Sequence, residues 1–344
     1  MRFQAALAII GLAISVCGCG GASPTAPGSP TTAVDLPASL SASFDALAIP
    51  ANAACSISIS QLGQVVLERG RGQMAPGLAA SGDSLYRIAS LTKPITASAV
   101  LVSEKAGRLS RTDKVNRFLA YPEPAPTIDE LIKHIPGLPN YLETPAYQSG
   151  RTSPTTVETL LSLIQPWDGV RRYQYSNSHA ILTGAALQQV NGLRYEDVVQ
   201  RDVFGPAGMS RSSFGLPPAS ESSQFPSSTH PTWVYAAGGV TSTAADMNRF
   251  NQALLSNLFG FGAVESFDRS AAGVTSFGMG SGVSSGDLRF THSGLLDSYS
   301  SFSVMFPADR SSVVVLCNFH SDVLPDFVMR PGGIRSLMLS GGKS

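Results

Sequence analysis

The chain has 344 residues, 43% hydrophobic and 14% charged, with a formal net charge of +0 and a mean hydropathy of +0.10. That composition supports a large buried core and excludes a disordered or fibrous chain. With a sequence pI ≈ 7.0 and no long basic run, the electrostatic footprint of a nucleic-acid binder is missing, so the expected partners are small molecules.

The first predicted element is a leader. Arg2 precedes an apolar run from Ala5 to Val16 and then small residues, too short to span a bilayer stably and of the form of a secretory signal peptide over residues 1–18. Its end, Val16-Cys17-Gly18-Cys19, resembles a bacterial lipoprotein cleavage box. Cys19 would become the lipidated first residue, held at a periplasmic or cell-envelope face by that anchor alone. From Gly20 to Pro37, 15 of 18 residues are Gly, Ala, Ser, Pro or Thr, which predicts a disordered linker over 19–37.

Beyond the leader only Cys55 and Cys317 remain, both in strand-like runs of a chain expected to meet an oxidising compartment. A disulfide between them is one possibility and free thiols the other. No two of the five histidines, at 134, 179, 230, 292 and 320, sit at ligand spacing, so neither a metal nor a cofactor is expected.

"CSISISQLGQVVLERG" predicts a hairpin with strands at 55–60 and 64–70. A helix begins near Ser90, with Ile95, Ala99, Val102 and Ala106 on one stripe and Gly107 as its stop. Pro-rich loops then surround helices at about 155–165, 178–191 and 195–203, and another helix follows at about 243–256. Strands return from 274 onward in "LRFTHSG", "YSSFSVMF" and "SSVVVLCNF". The pattern predicts an α+β fold: one antiparallel sheet built from residues 38–112 and 236–335, a helical insertion over 113–235, and a flexible tail at 336–344.

"RIASLTKPITA" (87–97) carries the first candidate chemistry. Pro94 lacks an N–H and is tolerated only near a helix start, so Ser90 and Lys93 share one face at a helix N-terminus. A desolvated lysine can take the proton of a serine nucleophile there, and the helix end offers N–H groups to an oxyanion. Spacing alone proves little: chance predicts ~0.7 Ser-x-x-Lys matches, and Ser340-Gly-Gly-Lys343 is a second copy. The pair gains meaning from Tyr175-Ser-Asn177 and His292-Ser-Gly294, which supply a third proton-shuttling group and further donors in order.

Together these motifs resemble the serine β-lactamase and penicillin-binding protein superfamily, in its class C-like branch of DD-carboxypeptidases, D-aminopeptidases and carboxylesterases. "HIPGLPNY" (134–141), the segment from Tyr173 to Met209 and "AAGGVTSTAADMNRF" (236–250) extend the resemblance over about residues 50–320. It implies a β-lactamase/transpeptidase-like fold, Ser90 as nucleophile, and Lys93 and Tyr175 sharing the acid and base work. It further implies Asn177, His292, Ser293 and Gly294 as substrate-binding residues and an oxyanion hole from the N–H groups of Ser90 and Leu295. The family sheet sets the first and last strands side by side, which implies that Cys55 and Cys317 could meet. Where β-lactamases usually carry Lys-Thr-Gly, this chain has His292, only partly charged near neutral pH, so esters and peptides are expected substrates ahead of β-lactams. No Ser-Asp-Asn occurs, and Glu123 precedes Tyr175, out of order for the deacylating Glu of class A enzymes. The expected protein is a monomeric serine hydrolase; the alternative is a non-hydrolytic muropeptide or β-lactam sensor of the same fold.

A competing pattern is Gly282-Val-Ser-Ser-Gly286, formally the Gly-x-Ser-x-Gly elbow of α/β-hydrolases. That elbow needs a strand before Ser284 and a helix after it, whereas strand-like sequence follows here, so a turn is expected.

Overall fold

A computed structural model describes residues 35–260, 274–276, 279–284 and 287–341. The leader, Cys19 and most of the linker lie outside these residues.

An eight-stranded sheet organises the chain. Its members are β1 (Ala54–Gln61), β2 (Gln64–Ala75), β3 (Leu78–Ala79), β7 (Val274–Ser276), β8 (Met279–Ser284), β9 (Asp287–Leu296), β10 (Tyr299–Phe306) and β11 (Ser311–Cys317), in the order β3-β2-β1-β11-β10-β9-β8-β7. A small second sheet joins β4 (Tyr86–Arg87), β6 (Val240–Ser242) and β5 (Ser213–Phe214). N- and C-terminal strands meet at β1 and β11, which run antiparallel with Cys55 opposite Cys317. The two cysteines are disulfide-bonded, closing a separation of 262 residues.

Three helices cover one face of the sheet: α1 (Leu36–Asp45), α11 (Leu324–Met329) and α12 (Ile334–Gly341). Cys55, Ile57 and Ile59 of β1 and Val313 and Val315 of β11 pack there against Leu40, Phe44, Leu324, Phe327 and Met338. Two boundaries differ from the sequence reading. The expected linker ends inside α1, where Asp35 caps the helix through Ala38 N and Pro37 fits its first turn. The expected flexible tail is helical to Gly341 and buries Met338, because Ile334 and Met338 one turn apart complete this core.

On the other face α10 (Ala244–Leu255) packs against β1 and β11, and α2 (Thr92–Lys105) and α6 (Asn177–Asn191), packed on each other, extend the same core. Alternation in β1 sends Ser56, Ser58 and Ser60 this way, a pattern that reads as a solvent face, yet all three are fully buried. The hydroxyls are satisfied instead by protein. Ser56 bonds Tyr86 Oη at 2.8 Å, Asn248 Nδ2 of α10 donates to Ser58 Oγ at 2.8 Å, and Ser60 donates to Asn248 Oδ1 at 3.0 Å.

Between β4 and β6 the chain builds α2, the short helices α3 (Ile128–Ile132), α4 (Pro145–Gly150) and α5 (Val157–Ser162), the long α6, and then α7 (Tyr195–Val199), α8 (Gly205–Ala207) and α9 (Pro231–Gly238). A Thr127–Glu130 capping box starts α3, and left-handed Gly192 ends α6. β8 and β9 form a hairpin with Ser284 opposite Asp287, so no helix follows Ser284 and the α/β-hydrolase elbow is not built.

Candidate active site

Ser90 sits in a 3₁₀ turn, Ala89–Leu91, that runs directly into α2. Ala89 is held at φ 49, in the left-handed region that costs a non-glycine residue, which marks the turn as constrained by its surroundings. Lys93 follows one turn later with its Nζ 3.0 Å from Ser90 Oγ. The amine is buried, 3% exposed, and also meets Asn177 Oδ1 at 2.7 Å and Ala237 O at 2.9 Å. Burial, with no carboxylate partner among the described residues, disfavours the cation, and desolvation pulls the Lys93 pKa down to about 7. A neutral amine donates to Asn177 and Ala237 and keeps one lone pair for the Ser90 proton.

The carbonyl of Ala237 reaches Lys93 because α9 is broken at Tyr235, whose φ of 29 is non-helical. Asn177 is the first residue of α6, behind the N-cap Ser176, and its Nδ2 donates to Asn140 Oδ1 at 3.3 Å. Tyr175 stands just before that cap with its ring 4.9 Å from Lys93 Nζ. It keeps 41% of its surface exposed. Burial around the phenol nonetheless pushes it up to about 12, against the lowering effect of its hydrogen bond with Ser90. Near neutral pH the tyrosine is therefore a proton donor and the lysine the available base.

The opposite wall is β9. β8 pairs with it only over Asp287–Thr291, so no described strand lies beside His292–Leu296 on that edge, while β10 pairs the other side. His292 is buried, with Nδ1–H donating to Ser293 O at 2.7 Å and its ring centroid 6.2 Å from that of Tyr175. Ser293 and Leu295 alternate to the exposed side. Gly294 makes the close approach possible: a Cβ there would lie 3.0 Å from Ser90 N and 2.5 Å from Ile88 O. The backbone of β9 thus lies against the Ser90 turn, beside which an oxyanion could sit.

Ser90, Lys93, Tyr175 and Asn177 are therefore brought together, with His292 and Gly294 of β9 beside them, while Ser293 and Leu295 lie on the same strand with exposed side chains. Glu123 does not join them; it is an exposed partner of Lys114 at 3.0 Å. Sequence reasoning did not single out Asn140, Ala237, His134 or His179 as site residues. Asn140 and His134 lie in the "HIPGLPNY" stretch, whose side-chain order alone gave no clue to their partners. Among the described residues no cluster of three or more His, Cys, Asp or Glu could hold a metal ion.

A sequence profile described as Beta-lactamase matches residues 48–330. The chain belongs to this family. Penicillin-binding protein 4* of Bacillus subtilis (strain 168) is 31% identical over 137 residues, 37% of this chain and 30% of that protein. The putative penicillin-binding protein PbpX of the same organism is 22% identical over 69% of this chain and 63% of its own length. The chain thus spans less than two thirds of these relatives. Among solved structures, D-amino acid amidase from Ochrobactrum anthropi SV3 complexed with L-phenylalanine amide superposes with TM-score 0.73 at 19% identity, covering 90% of this chain and 99% of the amidase. The family and these neighbours establish the β-lactamase and penicillin-binding-protein fold, with its sheet formed by strands from both chain ends.

Proposed function

We propose that this β-lactamase-family protein is a serine hydrolase of esters or amides acting through an acyl-Ser90 intermediate. The observation that carries the reading is the buried, uncompensated Lys93 amine 3.0 Å from Ser90 Oγ, with its pKa lowered to about 7. As Ser90 Oγ attacks the substrate carbonyl carbon, Lys93 takes the hydroxyl proton. The N–H groups of Ser90 and Leu295 receive the oxyanion. Tyr175 gives its proton to the departing alkoxide or amine as the C–O or C–N bond breaks, and Lys93 returns a proton to the phenolate. Water then attacks the acyl ester, one proton passing through the same pair to Ser90 Oγ, which leaves as the hydroxyl with release of the acid.

His292 stands where a lysine would meet a leaving-group carboxylate, and an imidazole is an intrinsically weaker base than a lysine amine. Esters and amides without that carboxylate are the favoured substrates. D-Amino-acid amides belong in the first panel, since a structural neighbour is a D-amino acid amidase. The test is turnover of short-chain p-nitrophenyl esters, D-phenylalanine amide, D-Ala-D-Ala peptides and a chromogenic cephalosporin by wild type and Ser90→Ala. Ester or amide turnover with an acyl adduct on Ser90, both lost in the variant, is expected; undiminished turnover by Ser90→Ala would sink the proposal. A stable adduct without turnover would favour the sensor reading instead.

We place the protein at the cell envelope through a lipid on Cys19, on the strength of the leader and its cleavage box. Cys19→Ser should shift the protein from the membrane to the soluble fraction on fractionation; unchanged membrane retention would contradict the anchor.

A further inference from the structure

His134 lies behind the site, buried to 3% exposure, at φ 58. A buried histidine in the left-handed region carries a conformational cost, and its contacts show what that conformation secures. Its carbonyl accepts the N–H of Gln174 at 2.9 Å, and its Nδ1 accepts the N–H of Ser176 at 3.4 Å. Those are the two residues flanking Tyr175. The imidazole itself lies against the Tyr175 ring, centroids 4.6 Å apart and planes tilted by 37°.

The tautomer follows from the next residue in the chain of contacts. Leu138 N–H donates to His179 Nε2 at 3.3 Å, so that nitrogen carries no proton and a neutral His179 holds its proton on Nδ1. His179 Nδ1 lies 2.8 Å from His134 Nδ1, which must then be the acceptor, as the Ser176 contact also requires. Both rings are kept neutral: burial pulls His179 down to about 3 and His134 well below its usual range, with the neighbouring Lys93 acting in the same direction on both. Among the described residues His134 Nε2 has no hydrogen-bond partner, which leaves its N–H as a buried donor. A cavity of about 20 Å³ bordered by His134, Lys93, Thr96 and Thr183 has room for one water.

We propose that His134 is the positioning residue for Tyr175, clamping the backbone on either side of it and backing its ring, and that His179 locks the tautomer that lets it do so. This rests on the acyl-Ser90 reading, in which the phenol must meet both Ser90 and the leaving group. An ångström of misplacement in such a group is worth about 100-fold in rate.

Two arms test it on the full chain. In the first, ¹⁵N-histidine spectra of the wild type, assigned with single-site variants, report the protonated nitrogen of each ring. Nε2–H on His134 and Nδ1–H on His179 are expected; Nδ1–H on His134 would overturn the lock. In the second, p-nitrophenyl butyrate kinetics compare His134→Phe, which keeps a ring against Tyr175 but no acceptor, with His134→Asn, whose Oδ1 can accept from Ser176 and which tolerates φ > 0. The Phe variant should lose about 10- to 100-fold in kcat with KM changed less than about threefold, and Asn should recover most of it. Wild-type kcat in the Phe variant, or equal losses in both, would overturn the proposal. Should the Phe variant fail to fold, the spectra still decide, and activity surviving in Ser90→Ala would overturn the function reading without touching the tautomer assignment.

Discussion

Lys93 is the residue whose environment does most to define the chemistry. A lysine free in water holds its proton to about pH 10.4, and this one is pulled down to about 7 by desolvation alone. Below that value the amine is cationic and cannot accept the Ser90 proton; above it the base form predominates. Ester kcat/KM should therefore rise with pH through about 7 and then level, since Tyr175 stays protonated up to about 12. A rate independent of pH between 5 and 9 would remove Lys93 as the base. The Ser90-x-x-Lys93 spacing is visible in the sequence, but the lowered pKa of Lys93 and the raised one of Tyr175 are not, because a pKa depends on burial and not on spacing.

At the scale of elements, the site is a junction of two helix starts, α2 and α6, one strand edge and one broken helix. Pro94 fixed the helix start in the sequence, and α2 begins at Thr92 after the Ser90 turn. The contact between that turn and β9 depends on Gly294. Gly294→Ala would set a methyl group 2.5 Å from Ile88 O, forcing the strand away from Ser90. Loss of about 100-fold or more in kcat is expected, with a stability loss of about 1–3 kcal/mol from overpacking. Steady-state kinetics beside thermal unfolding check this, and an unimpaired kcat would show that β9 does not line the reacting carbonyl. The break in α9 at Tyr235, which turns Ala237 O toward Lys93, had no sequence signal; "PTWVYAAGG" contains no proline or glycine at the break itself.

Across the whole molecule, the first and last long strands are paired in the middle of the sheet, and Cys55–Cys317 fastens the pair. Closing so long a loop removes conformational freedom from the unfolded chain, and loss of such a bond costs about 2–5 kcal/mol. Cys55→Ala/Cys317→Ala should therefore unfold at lower denaturant concentration than the oxidised wild type while retaining ester turnover, since neither cysteine touches the cleft residues. Equal midpoints would mean that the bond contributes nothing to stability. Of the helices that seal this half of the sheet, α1 starts in the last two residues of the expected linker and α12 takes up most of the expected tail; their burial is decided by the sheet face awaiting them.

The sequence by itself determined the antiparallel sheet from both chain ends, the helical stretch between them and the order Ser90, Lys93, Tyr175, Asn177, His292. Local rules govern those features: period-two and helical spacing, proline at a helix start and motif order within a known family. Only the tertiary structure decided that Ser56, Ser58 and Ser60 are buried against Asn248, and that Lys93 meets Ala237. It also decided that His134 and His179, 45 residues apart, share a hydrogen bond behind Tyr175. Those outcomes depend on which distant groups remove water from a side chain and which satisfy it, and neither periodicity nor spacing carries that information.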